Sequence, residues 1–290
     1  QLVQHVALDA ATQGFVDALN AELGEENINW DIQNAAGDSN TCNTIVNGFV
    51  SANVDLIMAN ATPALQAASV ATGSIPVLGT SVTEYGVALG IENFSGLVGT
   101  NVSGTSDLAP LDQQAALLAE WFPDAENVGL IYCSAEANSQ YQVDVVKAEL
   151  EALGYTATLY SFSDSNDLAA VTEKAVAESD VIYVPTDNTV AENTGIIDNV
   201  CAPKKVPVIA GEEGICKGCG VATLSISYYD LGVATGKMAA KILKGESKIE
   251  EMPIEYAATF TKKYNKEICD ELGIDTAALE AAGYVAIVTE

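Results

Sequence analysis

Short apolar runs and amphipathic helical stretches alternate along this chain almost without a break. The clearest run is Val181–Val184, four consecutive β-formers that stop at Pro185 and deliver Thr186, Asp187 and Asn188 to a turn. A continuous apolar run of this length suits a strand covered on both faces. Further strands are predicted at 1–5 (the end of one), 29–34, 54–58, 75–78, 128–132, 155–161, 206–210, 222–227 and 254–257. Helical patterns fill the intervals at 9–24, 41–51, from 63 onward, and at 111–122, 139–153, 166–177, 188–200 and 229–243. In the first helix Phe15, Val16, Leu19 and Leu23 share a face and Gly24 ends it; in the last, the face is Leu231, Ala234, Met238, Ile242 and Leu243. Thr62 before Pro63 reads as a helix cap, because proline is tolerated in a first turn and the hydroxyl can accept from a free amide.

Strand followed by helix, with few hairpin signals, predicts parallel sheets with helical crossovers. The stretch 96–106, GLVGTNVSGTS, is small, extended and helix-poor, and reads as a hinge. Two serial βαβ sets on either side of it, followed by a return segment, predict two similar α/β lobes. One lobe is expected to hold residues 1–104 plus 227–250, the other 105–226 plus 251–290. A single large doubly wound sheet is the alternative.

Composition narrows the function. Of 290 residues 49% are hydrophobic and 18% charged, which describes a folded chain with a substantial core. The 12 lysines face 40 acids and no arginine occurs, giving a formal charge of −28. Nucleic acid, which is held through Lys and Arg on phosphates, is excluded as a partner. An anionic membrane surface is disfavoured for the same reason. A ligand carboxylate, if there is one, must be held without a guanidinium fork. No run reaches the length of a membrane span. Gln1 to Gln4 look like the tail of a strand, so an upstream segment carrying a targeting or lipid anchor is expected.

Six cysteines occur, including Cys216-Lys-Gly-Cys219. That pair resembles half of a zinc or redox motif, but the one histidine, His5, is distant in sequence and the pair is read into a glycine-rich loop. A structural disulfide or unpaired thiols are expected there, with no metal and no cofactor. The nucleotide, metalloprotease and nucleophile-elbow signatures are all missing from the sequence.

What remains are the turns at the carboxyl ends of the predicted strands, the edge where open parallel sheets bind ligands. In the first lobe these carry His5 and Asp9, then Asn60 and Thr62, then Thr80, Ser81 and Glu84. In the second they carry Ser134, Glu136, Asn138 and Ser139, then Asp187 and Asn188, then Glu212 and Glu213. Singly, Thr62, Ser139 and Asn188 also read as helix caps, and Asp9 and Glu136 as charges near positive helix ends. Together they outline a ligand cleft.

Several stretches carry a resemblance: HVALDAATQGF (5–15), ANATPALQA (59–67), GTNVSGTSD (99–107), GLIYCSAEANS (129–139), IYVPTDNTVAEN (182–193) and ISYYDLGVATGKMAAKILKGE (226–246). The chain resembles, from end to end, the ABC-transporter substrate-binding proteins that include tryptophan- and tyrosine-uptake members. It departs from them at Val6, where the family usually has proline, and at Glu212-Glu213-Gly214, where Asp-Glu-Gly is common. The resemblance implies a type I periplasmic-binding fold, two Rossmann-like parallel-sheet lobes joined by three hinge crossovers. It implies a monomeric, extracytoplasmic, non-enzymatic component of an importer, with a membrane permease as partner. The implied ligand is a free L-amino acid, aromatic, trapped between the lobes. Its carboxylate would sit at the helix start opened by Asn138 and Ser139, and its ammonium on Asp187 with Glu212 or Glu213. Thr62 and Ser81 would add hydrogen bonds, and His5, Leu8 and Tyr85 shape around the side chain. A nucleoside, a sugar or a branched-chain amino acid is the alternative ligand, and a two-lobed enzyme the alternative function.

Overall fold

The computed structural model describes residues 1–288, and the chain divides into two compact units. The first comprises Gln1–Leu108 with Ser227–Ala258, the second Ala109–Ile226 with Thr259–Glu290. With elements numbered along the whole chain, the first unit holds α1 (Val6–Leu23), α2 (Ser39–Ala52), β1 (Ile57–Asn60), α3 (Thr62–Ala71), β2 (Val77–Val82), α4 (Tyr85–Leu89) and β3 (Val102–Ser106). The returning chain adds α11 (Tyr228–Leu243) and β9 (Glu255–Tyr256). Its four strands are parallel in the order β1-β2-β3-β9.

Alternation along each strand supplies the two faces of this sheet. Val77 packs into a core with Val46, Leu65 and Val102, whereas Leu78 packs opposite with Phe15, Leu19 and Met238 from α1 and α11. Those two helices meet on small residues. A Cβ on Gly232 would lie 2.0 Å from the Ala11 carbonyl oxygen, so the backbones touch where any larger residue would part them.

Three expectations change here. Residues 96–106 are not simply a hinge, because Val102–Ser106 forms β3 between β2 and β9. That pairing with β9 also keeps 105–108 and 251–258 in the first unit. Residues 1–5 and 29–34 form no regular strand. They bond irregularly, Leu2 N–H to the Asn60 carbonyl of β1 at 3.1 Å and the Gln1 amino group to the Gln33 carbonyl at 2.8 Å.

The second unit contains α5 (Leu111–Trp121), β4 (Asn127–Cys133), α6 (Ala137–Ala152), β5 (Thr156–Phe162), α7 (Ser165–Glu178), β6 (Val181–Val184) and α8 (Asn188–Glu192). Then come α9 (Thr194–Lys204), β7 (Val208–Ala210), α10 (Glu213–Cys219), β8 (Ala222–Ser225), β10 (Thr261–Tyr264), α12 (Lys266–Leu272) and β11 (Val285–Ala286). Its seven-stranded sheet runs β11-β10-β8-β7-β6-β4-β5, with β10 antiparallel to β8 and every other pair parallel. The single helix expected over 188–200 is two helices that break at Asn193, and the Cys216–Cys219 pair lies in α10 rather than in a loop. The protein therefore has two parallel-sheet units rather than one doubly wound sheet. No helix among the described residues is long and apolar enough to cross a membrane.

Candidate ligand-binding site

In the first unit, a buried side chain with an oxygen that meets no hydrogen-bond partner lies at or next to the carboxyl end of each of β1, β2 and β3. On β1 the Asn60 amide donates to the Leu8 carbonyl at 2.8 Å and the Thr12 hydroxyl at 3.0 Å, while its Oδ1 is left open. On β2 the open atom is the Ser81 hydroxyl. After β3 it is Oδ1 of Asp107, whose Oδ2 accepts from the Tyr228 hydroxyl at 3.0 Å. Burial without a partner costs roughly 1–3 kcal/mol per group, so three on one sheet edge call for an explanation.

The backbone here is strained as well. Gly79 pairs with Gly104 but Val82 with Ser106, so β2 carries one residue more than β3 across this interval and bulges. The bulge sets Ser81 at φ 53, in the left-handed region that an L-residue avoids. Ala61, the N-cap of α3, sits at φ 87 and ψ 157, a conformation normally left to glycine, and is fully buried. Non-glycine residues in such regions cost about 1–3 kcal/mol each and cluster at ligand clamps. With alanine as its cap, α3 has no side chain to accept from its first-turn amides. Thr62 is the first residue of α3 and not its cap, as the sequence pattern had suggested.

Gly104 makes this edge possible. At φ 145 it presses against β2, and a Cβ there would fall 2.1 Å from the Gly79 carbonyl oxygen. Beside it the Tyr85 hydroxyl donates to the Thr105 carbonyl at 3.0 Å. Tyr85 and Leu8 are each 1% exposed and pack in the core of the first unit. His5 is the half-buried N-cap of α1.

The second unit's edge is acidic, and its acids are occupied. Asp187 caps α8, its Oδ1 accepting from Val190 N–H at 2.9 Å and its Oδ2 from Cys133 N–H at 2.7 Å. Glu136 accepts from the Asn188 amide at 2.6 Å, and from the Thr189 N–H and hydroxyl at 2.9 and 2.8 Å. Glu212 caps α10 through Gly214 and Ile215, and Glu213 pairs with Lys263. The sequence reading places an ammonium on Asp187 with Glu212 or Glu213; in the structure Asp187 and Glu212 cap helices and Glu213 pairs with Lys263.

Burial, then the neighbouring Glu136, raises the Asp187 carboxyl to about 7. Buried Glu136 at the start of α6, with buried Asp187 accepting from Cys133 of the strand before it, likewise weighs against a ligand carboxylate there, although that helix has no side-chain cap. Asn138 donates to the Thr186 carbonyl and to Glu136, both at 3.2 Å, and keeps Oδ1 open. Ser139 is fully buried, Asn188 nearly so, and the exposed Ser134 donates to the Phe162 carbonyl at 3.0 Å.

Asp107 and Ala61 are the residues that sequence reasoning missed. Asp107 closes the segment GTNVSGTSD, where it looks like a charge entering a turn. Ala61 carries no chemical signal. All six cysteines are unpaired and buried, and no group of three or more His, Cys, Asp or Glu suited to a metal occurs among the described residues.

The family model for ABC transporter substrate binding proteins matches residues 1–281. A tyrosine-binding protein of Clostridioides difficile (strain R20291) is 37% identical over 256 residues, 88% of this chain and 74% of that one. An ABC domain from Streptococcus pneumonia, solved in complex with L-Trp, superposes with a TM-score of 0.91 at 31% identity, over 99% of this chain and 98% of that one. A conserved domain protein from Vibrio cholerae matches with a TM-score of 0.93 at 30% identity, covering 99% and 97%.

Proposed function

Because the chain belongs to the ABC transporter substrate-binding protein family, we propose that it captures a free L-amino acid with an aromatic side chain, tyrosine or tryptophan, and passes it to the permease of an importer. Its parallel-sheet units have the type I periplasmic-binding fold, and its class works on the extracytoplasmic side of the membrane. The observation that carries the choice of ligand is the kinship, at 37% identity, with a protein named for binding tyrosine. The relative solved with L-Trp points to the same side-chain class.

The first unit's strand edge suits the polar end of such a ligand. With no arginine in the chain, a carboxylate must be met by amides and hydroxyls. The start of α3 supplies the positive end of a ten-residue helix without a side-chain cap, and the open Ser81 hydroxyl lies on the neighbouring strand end. Thr62 opens that helix and is 2% exposed. The carboxylate is assigned to this seat rather than to α6, where Glu136 and Asp187 already place negative charge. His5 remains in the proposal as a contact near the side chain.

Titration calorimetry against a panel of amino acids, nucleosides and monosaccharides tests this reading, with each ligand recovered and identified by mass spectrometry. Saturable binding of L-tyrosine or L-tryptophan, recovered unchanged, is the expected result. Binding confined to sugars or nucleosides overturns the ligand class, and a chemically altered product overturns the transport role.

A further inference from the structure

An ammonium buried beside a carboxylate seat needs its own acceptor, and the acids expected to provide it are engaged elsewhere. Asp187 accepts from two amides, Glu136 from Asn188 and Thr189, and Glu212 from two amides. Glu213 pairs with Lys263, and Glu84 caps α4 through Val87 N–H at 2.5 Å. Asp107 differs from all of these. It is 4% exposed, its N–H is tied to the Val82 carbonyl at 3.2 Å, and Oδ1 has no partner. Among the described residues it is the one carboxylate with a buried, unpartnered oxygen. No lysine forms an ion pair with it among those residues, and the chain has no arginine.

Resting on the reading of the ligand as an amino acid, we propose that Asp107 Oδ1 accepts a hydrogen bond from the ligand's ammonium group, so that Asp107 selects amine-bearing ligands. Tyr228 acts as its positioning residue, holding Oδ2 with its hydroxyl from the first turn of α11. The placement suits an α-amino acid, in which one carbon separates ammonium from carboxylate. The two seats then have to lie at adjacent strand ends, as Ser81 near the end of β2 and Asp107 just past the paired β3 do. Burial holds the Asp107 carboxyl above its ordinary value, with the Thr83 and Tyr228 hydroxyls opposing. A cation at Oδ1 supplies the compensation that the protein itself withholds.

The test compares L-tyrosine and L-tryptophan with their deaminated analogues, which keep side chain and carboxylate and replace the ammonium by hydrogen. Calorimetry on the wild type is expected to show a strong preference for the amino acids. Asp107→Asn should weaken amino-acid binding about 100-fold or more, as for one partner lost from a buried charge pair, and leave the analogues as tight or tighter. Tyr228→Phe should erode the same preference by about tenfold, since it removes a charge-assisted hydrogen bond from the carboxylate.

A preference that survives Asp107→Asn, or an equal loss for both ligand types, overturns the assignment. If Asp107→Asn unfolds, Tyr228→Phe decides: selective loss supports the contact and uniform loss overturns it. Failure of the aromatic reading is visible separately in the wild type. If the wild type instead binds another amine-bearing ligand, the same variants test Asp107 on that ligand and its deaminated form. A wild type that binds amine-free ligands alone overturns both proposals.

Discussion

Ser81 is held in a conformation and an environment that both oppose folding, and this makes its replacement informative. Two terms are at stake. The left-handed backbone at φ 53 costs an L-residue roughly 1–2 kcal/mol. The buried hydroxyl without a partner costs about 1–3 kcal/mol more. Ser81→Ala removes the second term and keeps the first. Ser81→Gly removes both, but glycine restores an entropic cost of about 0.5–1 kcal/mol and gives up side-chain packing at a site only 5% exposed. Both variants are therefore expected to unfold at higher temperature than the wild type without ligand, by about 2–4 °C per kcal/mol for a domain of this size. Their affinity for the amino acid should fall by about tenfold, the worth of one hydrogen bond to a charged group. Calorimetric melting without ligand, followed by titration, reads both quantities. A serine retained for binding must stabilise the complex more than it destabilises the free protein. If Ser81→Ala melts lower than the wild type, the hydroxyl has a structural partner; if its affinity is unchanged, the hydroxyl does not touch ligand. Either result refutes the reasoning.

Other consequences follow from the second unit. Between the ordinary carboxylate value of 3.8 and about 7, native Asp187 binds its proton more tightly than the unfolded chain does. Fewer protons on the unfolded state mean that this group's contribution to stability falls as pH rises through that window and levels off above it. Urea unfolding of the wild type and Asp187→Asn across that range should show a stability difference that changes with pH; a constant difference refutes the shift. The six buried thiols should alkylate slowly in the native protein and completely in denaturant. Burial raises Cys133 to about 11, Cys201 and Cys269 to about 12, and Cys216 and Cys219 well above the ordinary value. Mass spectrometry that finds a rapidly modified cysteine, or a disulfide, contradicts that picture.

The fold is legible in the sequence where burial is two-sided. Val181–Val184 is a strand as expected, because a run covered on both faces needs no alternation to identify it. The pattern fails where tertiary bonds decide. Val102–Ser106 is rich in small and polar residues, yet it pairs on both sides because the Thr105 and Ser103 hydroxyls reach Thr235 at 2.8 Å and the Met252 carbonyl at 2.9 Å. Residues 29–34 show the converse, β-like in composition but tied to the chain start by scattered bonds. The cysteine pair was misplaced because Gly214, Gly218 and Gly220 signal a loop, whereas Glu212 caps a short helix that runs through the first two of them.

At the site, the sequence identifies which residues stand at the strand ends but not which of their atoms remain available. Asp187 in PTDN and Asp107 in GTSD have the same local grammar, an acid just past an extended run. Their difference lies in what folding brings to each carboxylate. Asp187 precedes a helix whose own amide returns to it, and β4 contributes a second amide from Cys133. Asp107 precedes Leu108, Ala109 and Pro110, and α5 begins only at Leu111, so no helix amide returns to fill Oδ1; the hydroxyl on Oδ2, that of Tyr228, arrives from 121 residues away. Capping is a local property that sequence spacing can reveal. An unmet oxygen is the remainder after every tertiary contact has been made, and here that remainder falls on an acid outside the site outlined by the sequence.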